Sequence, residues 1–193
     1  MKVLIVAGSR VGGTKIGEWL GYELGIEYVH EPFAHWRDEM GLKENFKKIW
    51  GKDDIIVKVF PGLEWESVRD MEWDIVIGLV RDNLRECAES IVMAEETNVW
   101  HNEYVVTDEW LKENTKGIED AILRVKEWNN RIYNDSSIGV RISYEGIYNT
   151  KGDRDKLKGI LGIGEWKFES LLDTQHRYRK SEIKPKSKPT KLI

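Results

Sequence analysis

Residues 1–24 read MKVLIVAGSRVGGTKIGEWLGYEL. Val3 to Ala7 is an unbroken apolar run that stops at Gly8. A run without alternation predicts a strand covered on both faces, as in a parallel sheet. GSRVGG follows. Ile16, Trp19, Leu20 and Leu24 then fall on one helical face, and Gly25 is placed to close that helix. A second strand is expected near Glu27–His30. The opening unit is therefore strand, glycine-rich loop, helix, strand.

The same reading extends along the chain. Ile55–Phe60 (IIVKVF) is a strand candidate stopped by Pro61-Gly62, and Asp74–Val80 (DIVIGLV) is another of the buried type. The latter runs into a helix whose apolar face is Leu84, Cys87, Ala88, Ile91 and Val92. Ile118, Ala121, Ile122, Val125, Trp128 and Ile132 mark a further amphipathic helix over residues 118–132, and Gly139–Ser143 a last strand. Strands alternating with helices predict an α/β fold, a three-layer domain around a central, mainly parallel sheet. Residues 1–180 form the expected domain. Residues 181–193 form a flexible basic tail, because Lys180–Lys191 holds five Lys and two Pro with one apolar residue.

Composition narrows the function. The chain has 193 residues, 40% hydrophobic and 33% charged, which suits one globular domain rather than a disordered chain. A net charge of -4 speaks against a nucleic-acid coat protein, so no nucleic-acid partner is expected. Nothing approaches the roughly 20 apolar residues that span a bilayer, and the first apolar run reaches Gly8 too soon for a signal-peptide core. Cys87 is the single cysteine, so an internal disulfide and a Cys-rich zinc site are excluded, and a reducing cytoplasm is the expected location.

Chemistry is expected first in GSRVGGTK, Gly8–Lys15. Backbone N–H groups between a strand and a helix point into one concavity, and the helix N-terminus adds positive potential. Gly12 and Gly13 allow close approach to an anion, while Ser9, Arg10, Thr14 and Lys15 add donors. Gly8 and Gly13 have the Walker spacing, but Thr14-Lys15 reverses its Lys-then-hydroxyl order, which counts against a magnesium-dependent NTPase. The second candidate is Arg81, where a buried strand ends and a helix begins; a guanidinium fork there suits a phosphate. The third is HEPFAHW, where Glu31 is a candidate general base with His30 and His35 as rivals. Lys58 interrupts an apolar strand. It is either an assisting cation or, the favoured reading, an edge-strand lysine that reaches water.

In this order the pieces resemble the sulfotransferases that use 3′-phosphoadenosine 5′-phosphosulfate (PAPS). Their first strand leads into a basic residue, Ser, Gly, hydroxyl, Thr loop that binds the 5′-phosphosulfate. SRVGGT is similar, with Arg10 in the basic position, Gly12 as the glycine and Thr14 as the last hydroxyl, while Val11 and Gly13 replace hydroxyl residues. Arg81 and Ser90 resemble the pair that binds the 3′-phosphate. Ser90 stands one residue beyond the usual spacing and Glu89 occupies the usual place; Ser90 is favoured, since a carboxylate would repel the phosphate. ISYEGIY is similar to the late Tyr-Glu segment. Arg179 and Lys180 resemble the closing Arg-Lys-Gly element, and Glu31 the base of carbohydrate-type members.

The resemblance implies a P-loop-type fold and transfer of a sulfuryl group from PAPS to an acceptor hydroxyl. Adenosine 3′,5′-bisphosphate is the expected product. Glu31 is then the base, Arg10 and Lys15 the charge-stabilising residues, and Lys58 a further candidate for that role. No metal is implied. The expected acceptor is a small molecule or carbohydrate, with no membrane partner. An ATP-dependent small-molecule kinase and a non-catalytic nucleotide-binding protein are the alternatives.

Overall fold

The computed structural model describes residues 1–30, 32, 49, 51–98, 107–168 and 170–173. Five strands form one sheet: β1 Lys2–Ala7, β2 Tyr28–Val29, β3 Ile55–Val59, β4 Ile75–Val80 and β5 Val140–Ser143. Their spatial order is β2-β3-β1-β4-β5, with every pairing parallel. The described helices are α1 Gly13–Leu24, α2 Leu63–Val68, α3 Leu84–Thr97, α4 Asp108–Glu113, α5 Thr115–Asn134, α6 Tyr144–Tyr148, α7 Gly152–Leu161 and α8 Ser170–Asp173. The expected α/β class and parallel sheet are both present.

Side chains alternate across β1 and so feed two cores. Val3, Ile5 and Ala7 pack with Ile16, Trp19 and Leu20 of α1, Cys87 and Ile91 of α3, and Ala121 and Val125 of α5. Leu4 and Val6 face the opposite side, with Val57, Trp65, Val68 and Ile132. Burial on both faces explains the apolar runs without alternation. Trp65 of α2 also donates its indole N–H to Asp135 at 2.7 Å, tying the second core to the end of α5.

Chain order reverses at β1, which lies between β3 and β4. Parallel pairing aligns the carboxyl ends of Ala7, Val59 and Val80 along one rim. In open parallel sheets the crevice at such a reversal is where ligands collect. Gly8–Gly12, Phe60 and Arg81 all leave the sheet there.

Lys58 departs from its favoured sequence reading. It is not on an edge strand, because β3 pairs with β2 on one side and β1 on the other. It is 3% exposed rather than reaching water. The covering strand lies where a second strand is expected, near Glu27–His30; its place beside β3 is a matter of strand order, which leaves no periodic signal in the sequence.

Candidate functional site

The loop between β1 and α1 is held from beneath. Arg10 adopts φ 60°, a left-handed conformation that costs a non-glycine residue about 1–2 kcal/mol. Two contacts offset this cost. The Arg10 Nε donates to Ser90 Oγ at 2.6 Å, and Arg81 Nη1 donates to the Arg10 carbonyl at 2.8 Å. Residues 10, 81 and 90 thus meet although they are far apart in sequence. Ser90, not Glu89, is turned to the loop; Glu89 instead pairs with Arg85 one turn back, at 2.9 Å.

Arg81 is 5% exposed. Its guanidinium carbon lies 4.2 Å from the centroid of the Tyr144 ring, and its Nη2 is 3.2 Å from Glu86 Oε2. Its Nε is buried with no hydrogen bond, 3.9 Å from Glu145 Oε1. The Tyr-Glu segment has a definite architectural task here. Glu145 accepts from the backbone N–H groups of Asp82 and Asn83, at 3.0 and 3.1 Å, and so closes the entry to α3. Asn83 adds the helix cap, accepting from the Glu86 N–H at 3.2 Å. Asn129, on the apolar stripe of α5, donates to the Arg81 carbonyl at 3.0 Å. Sequence reasoning missed Asn129, yet a signal existed: it is the polar member of a stripe that runs Val125, Asn129, Ile132.

Charge around this cluster acts on its neighbours. Cys87 Sγ lies 3.6 Å from the Ser9 carbonyl, directly behind the loop. Burial pushes its thiol up to about 11, against the opposing pull of Arg81 and Arg10. Asp82 is raised above the usual carboxylate range, first by burial and then by the nearby Glu145.

The loop's other residues are placed as follows. A Cβ on Gly12, which has φ +83°, would come 3.0 Å from the Tyr148 ring and 3.1 Å from that of Tyr144. Gly13 begins α1 and lies against Lys58, whose Cε would be 3.0 Å from a Cβ there. The Lys58 stem therefore passes directly under the loop, with Nζ 4.7 Å from the Phe60 ring centroid. Thr14 Oγ1 is 3.4 Å from His30 Nδ1, which is also 3.2 Å from the Tyr28 hydroxyl. Gly17 permits this grouping, since a Cβ there would strike the Tyr28 ring at 2.2 Å. Lys15 is not drawn into the cluster; it is exposed and pairs with Glu18 at 3.0 Å. Glu31, His35, Arg179 and Lys180 lie outside the described residues.

Among the described residues no group of three or more His, Cys, Asp or Glu is arranged to hold a metal ion. No described helix is long and apolar enough to cross a membrane.

No protein-family model matches this chain. No curated protein matches it in sequence. Solved structures do match. The mouse sulfotransferase SULT7A1, complexed with PAP, aligns at a TM-score of 0.51 and 15% identity, covering 91% of this chain and 62% of its own. A sulfotransferase from Alicyclobacillus acidocaldarius aligns at 0.49 and 13%, covering 84% of this chain and 81% of its own. Shikimate kinase from Aquifex aeolicus aligns at 0.40 and 11%, covering 85% of this chain and 100% of its own. Identity this low speaks to the fold alone. This chain has a sulfotransferase-like α/β fold, and it spans less than two thirds of the mouse enzyme's length.

Proposed function

We propose that this protein is a PAPS-dependent sulfotransferase acting on an acceptor hydroxyl. The observation that carries the reading is the meeting of Arg10, Ser90 and Arg81 at the carboxyl rim of the sheet. An anion-binding loop and a second cationic group held beside it suit a nucleotide with phosphates at both its 5′ and 3′ positions. The buried Arg81 Nε, without a hydrogen bond, is a donor of the kind such a phosphate would satisfy.

In this reading PAPS supplies the activated sulfuryl group. Ser9, Gly12, Gly13 and Thr14 hold its 5′ end through backbone and hydroxyl donors, and Arg81 and Ser90 hold the 3′-phosphate. Arg179 and Lys180 close over the nucleotide. The acceptor oxygen forms a bond to sulfur as the bond from sulfur to the bridging oxygen breaks, leaving adenosine 3′,5′-bisphosphate. Arg10 and Lys58 stabilise the charge that builds on the bridging oxygen, with Lys15 at the mouth. Glu31 takes the acceptor proton. Such transfers ask the protein mainly for positioning and electrostatic stabilisation. The proposed acceptor is a small molecule or carbohydrate, and the proposed setting is the cytoplasm.

The test compares thermal stabilisation by adenosine 3′,5′-bisphosphate with that by ATP-magnesium, since a ligand of the native state raises the midpoint by mass action. Labelled PAPS with an acceptor panel then reads transfer. Stabilisation by the bisphosphate together with labelled product supports the proposal. Stabilisation by ATP-magnesium alone points to a kinase, and bisphosphate binding without transfer points to a non-catalytic nucleotide protein.

A further inference from the structure

The outer edge of the Arg81 guanidinium is partly taken. Nη1 is committed to the Arg10 carbonyl and helps to fix the loop. The remaining fork, Nε and Nη2, is the edge that binds two oxygens of one phosphate. Nε has no hydrogen bond, whereas Nη2 faces Glu86 Oε2 at 3.2 Å. That same oxygen accepts from the Asn83 side-chain amide at 3.1 Å. The two partners differ in exposure. Arg81 is 6% exposed in its side chain and Glu86 34%. Arg81 is held by the Arg10 carbonyl and lies against the Tyr144 ring, while Glu86 stands on the first turn of α3.

We propose that Glu86 is a specificity-determining residue that competes with the nucleotide 3′-phosphate for Arg81. This rests on the sulfotransferase reading above and names how that site selects its nucleotide. A ligand with a 3′-phosphate displaces the carboxylate from Nη2 and completes the fork through Nε. A nucleotide without that phosphate leaves the pair in place. Glu86 therefore lowers affinity for 3′-phosphorylated nucleotides and leaves affinity for others unchanged. In the free protein it shares the neutralising of a buried cation with Glu145, whose Oε1 lies 3.9 Å from Nε.

Calorimetric titration of adenosine 3′,5′-bisphosphate and of AMP into wild type, Glu86→Gln and Glu119→Gln tests this. Glu119 lies exposed on α5 and controls for loss of one negative charge. Glu86→Gln is expected to tighten bisphosphate binding about tenfold, an estimate held low because the carboxylate is one-third solvated. AMP affinity should stay level, and Glu119→Gln should match wild type for both. If AMP binds and the bisphosphate-to-AMP ratio is unchanged or smaller in Glu86→Gln, this inference fails and the nucleotide reading stands. If the two glutamine variants tighten the bisphosphate equally, bulk charge explains the effect and the inference fails. Binding of neither nucleotide to any of the three proteins overturns the nucleotide reading and this inference with it.

Discussion

Glu145→Gln should destabilise the protein more than an ordinary surface substitution, because its carboxylate replaces missing helix partners. The first N–H groups of an α-helix have no acceptor within the helix. Glu145 takes two backbone donors before α3, at 3.0 and 3.1 Å, with its side chain 22% exposed. Each charge-assisted bond contributes roughly 1.5–3 kcal/mol. Glutamine keeps one carbonyl acceptor but turns an NH₂ group toward the other N–H, so one bond is lost and one donor is left facing a donor. After discounting for partial solvation the expected loss is about 2 kcal/mol. In a chain of this size that lowers the thermal midpoint by about 4–8 °C. Urea unfolding should show a lower midpoint at unchanged slope, since little surface is altered. The pH dependence adds a second check. Asp82 is raised in the folded state, partly by Glu145, so its contribution to stability falls as pH rises from its unfolded pKa through its folded one. The variant should lose less over that window than wild type does. A stability change under about 0.5 kcal/mol would show that these amides are satisfied without the carboxylate.

Three further outcomes are expected. Lys58→Met keeps the buried apolar stem and removes the charge, so it should bind adenosine 3′,5′-bisphosphate while single-turnover sulfate transfer falls by about 10²-fold; an unaltered rate would leave Lys58 as packing alone. Cys87, buried and with its thiol pushed up to about 11, should react with a disulfide reagent at pH 8 only as fast as the protein opens; labelling at the rate of an exposed thiol would contradict the burial. Gly146→Ala would place a Cβ 1.9 Å from Asp153 Oδ2, which accepts the Ser143 N–H at 2.7 Å, so a loss of about 1–3 kcal/mol should appear in urea unfolding; a neutral substitution would mean that Asp153 can move away at little cost.

The frame was legible where burial leaves a pattern. β1, β3 and β4 are covered on both faces and read as apolar runs; α3 and α5 carry a stripe at helical period. The short helices were not legible. α2 and α6 have six and five residues, too few for a period to emerge, and tertiary contacts set their ends. Glu64 accepts the Phe60 N–H at the start of α2, for example. The choice between Glu89 and Ser90 was likewise beyond periodicity, since both flank the stripe. Helix phase decides it: Ser90 is one turn beyond Cys87, which faces the loop, whereas Glu89 is one turn beyond exposed Arg85.

Val11 and Gly13, which stand where the resemblance implies hydroxyl residues, are explained by packing on the inner side of the loop. Val11 is 2% exposed and belongs to the core shared by β1, α1 and α3. Its side chain points inward, so its identity anchors the loop and leaves the N–H as its contribution to the concavity. Gly13 answers a different constraint. A Cβ there would meet Ala7 Cβ and Lys58 Cε, each at 3.0 Å, closer than ordinary contact. A serine or threonine at 13 would have to shift the buried Lys58 stem by a few tenths of an ångström and would crowd the Ala7 methyl. Absence of a side chain at 13 and presence of a buried lysine at 58 are thus one arrangement. In the proposed reading, the Lys58 cation on the underside of the loop is a stronger group for a bound anion than a neutral hydroxyl at position 13 would be.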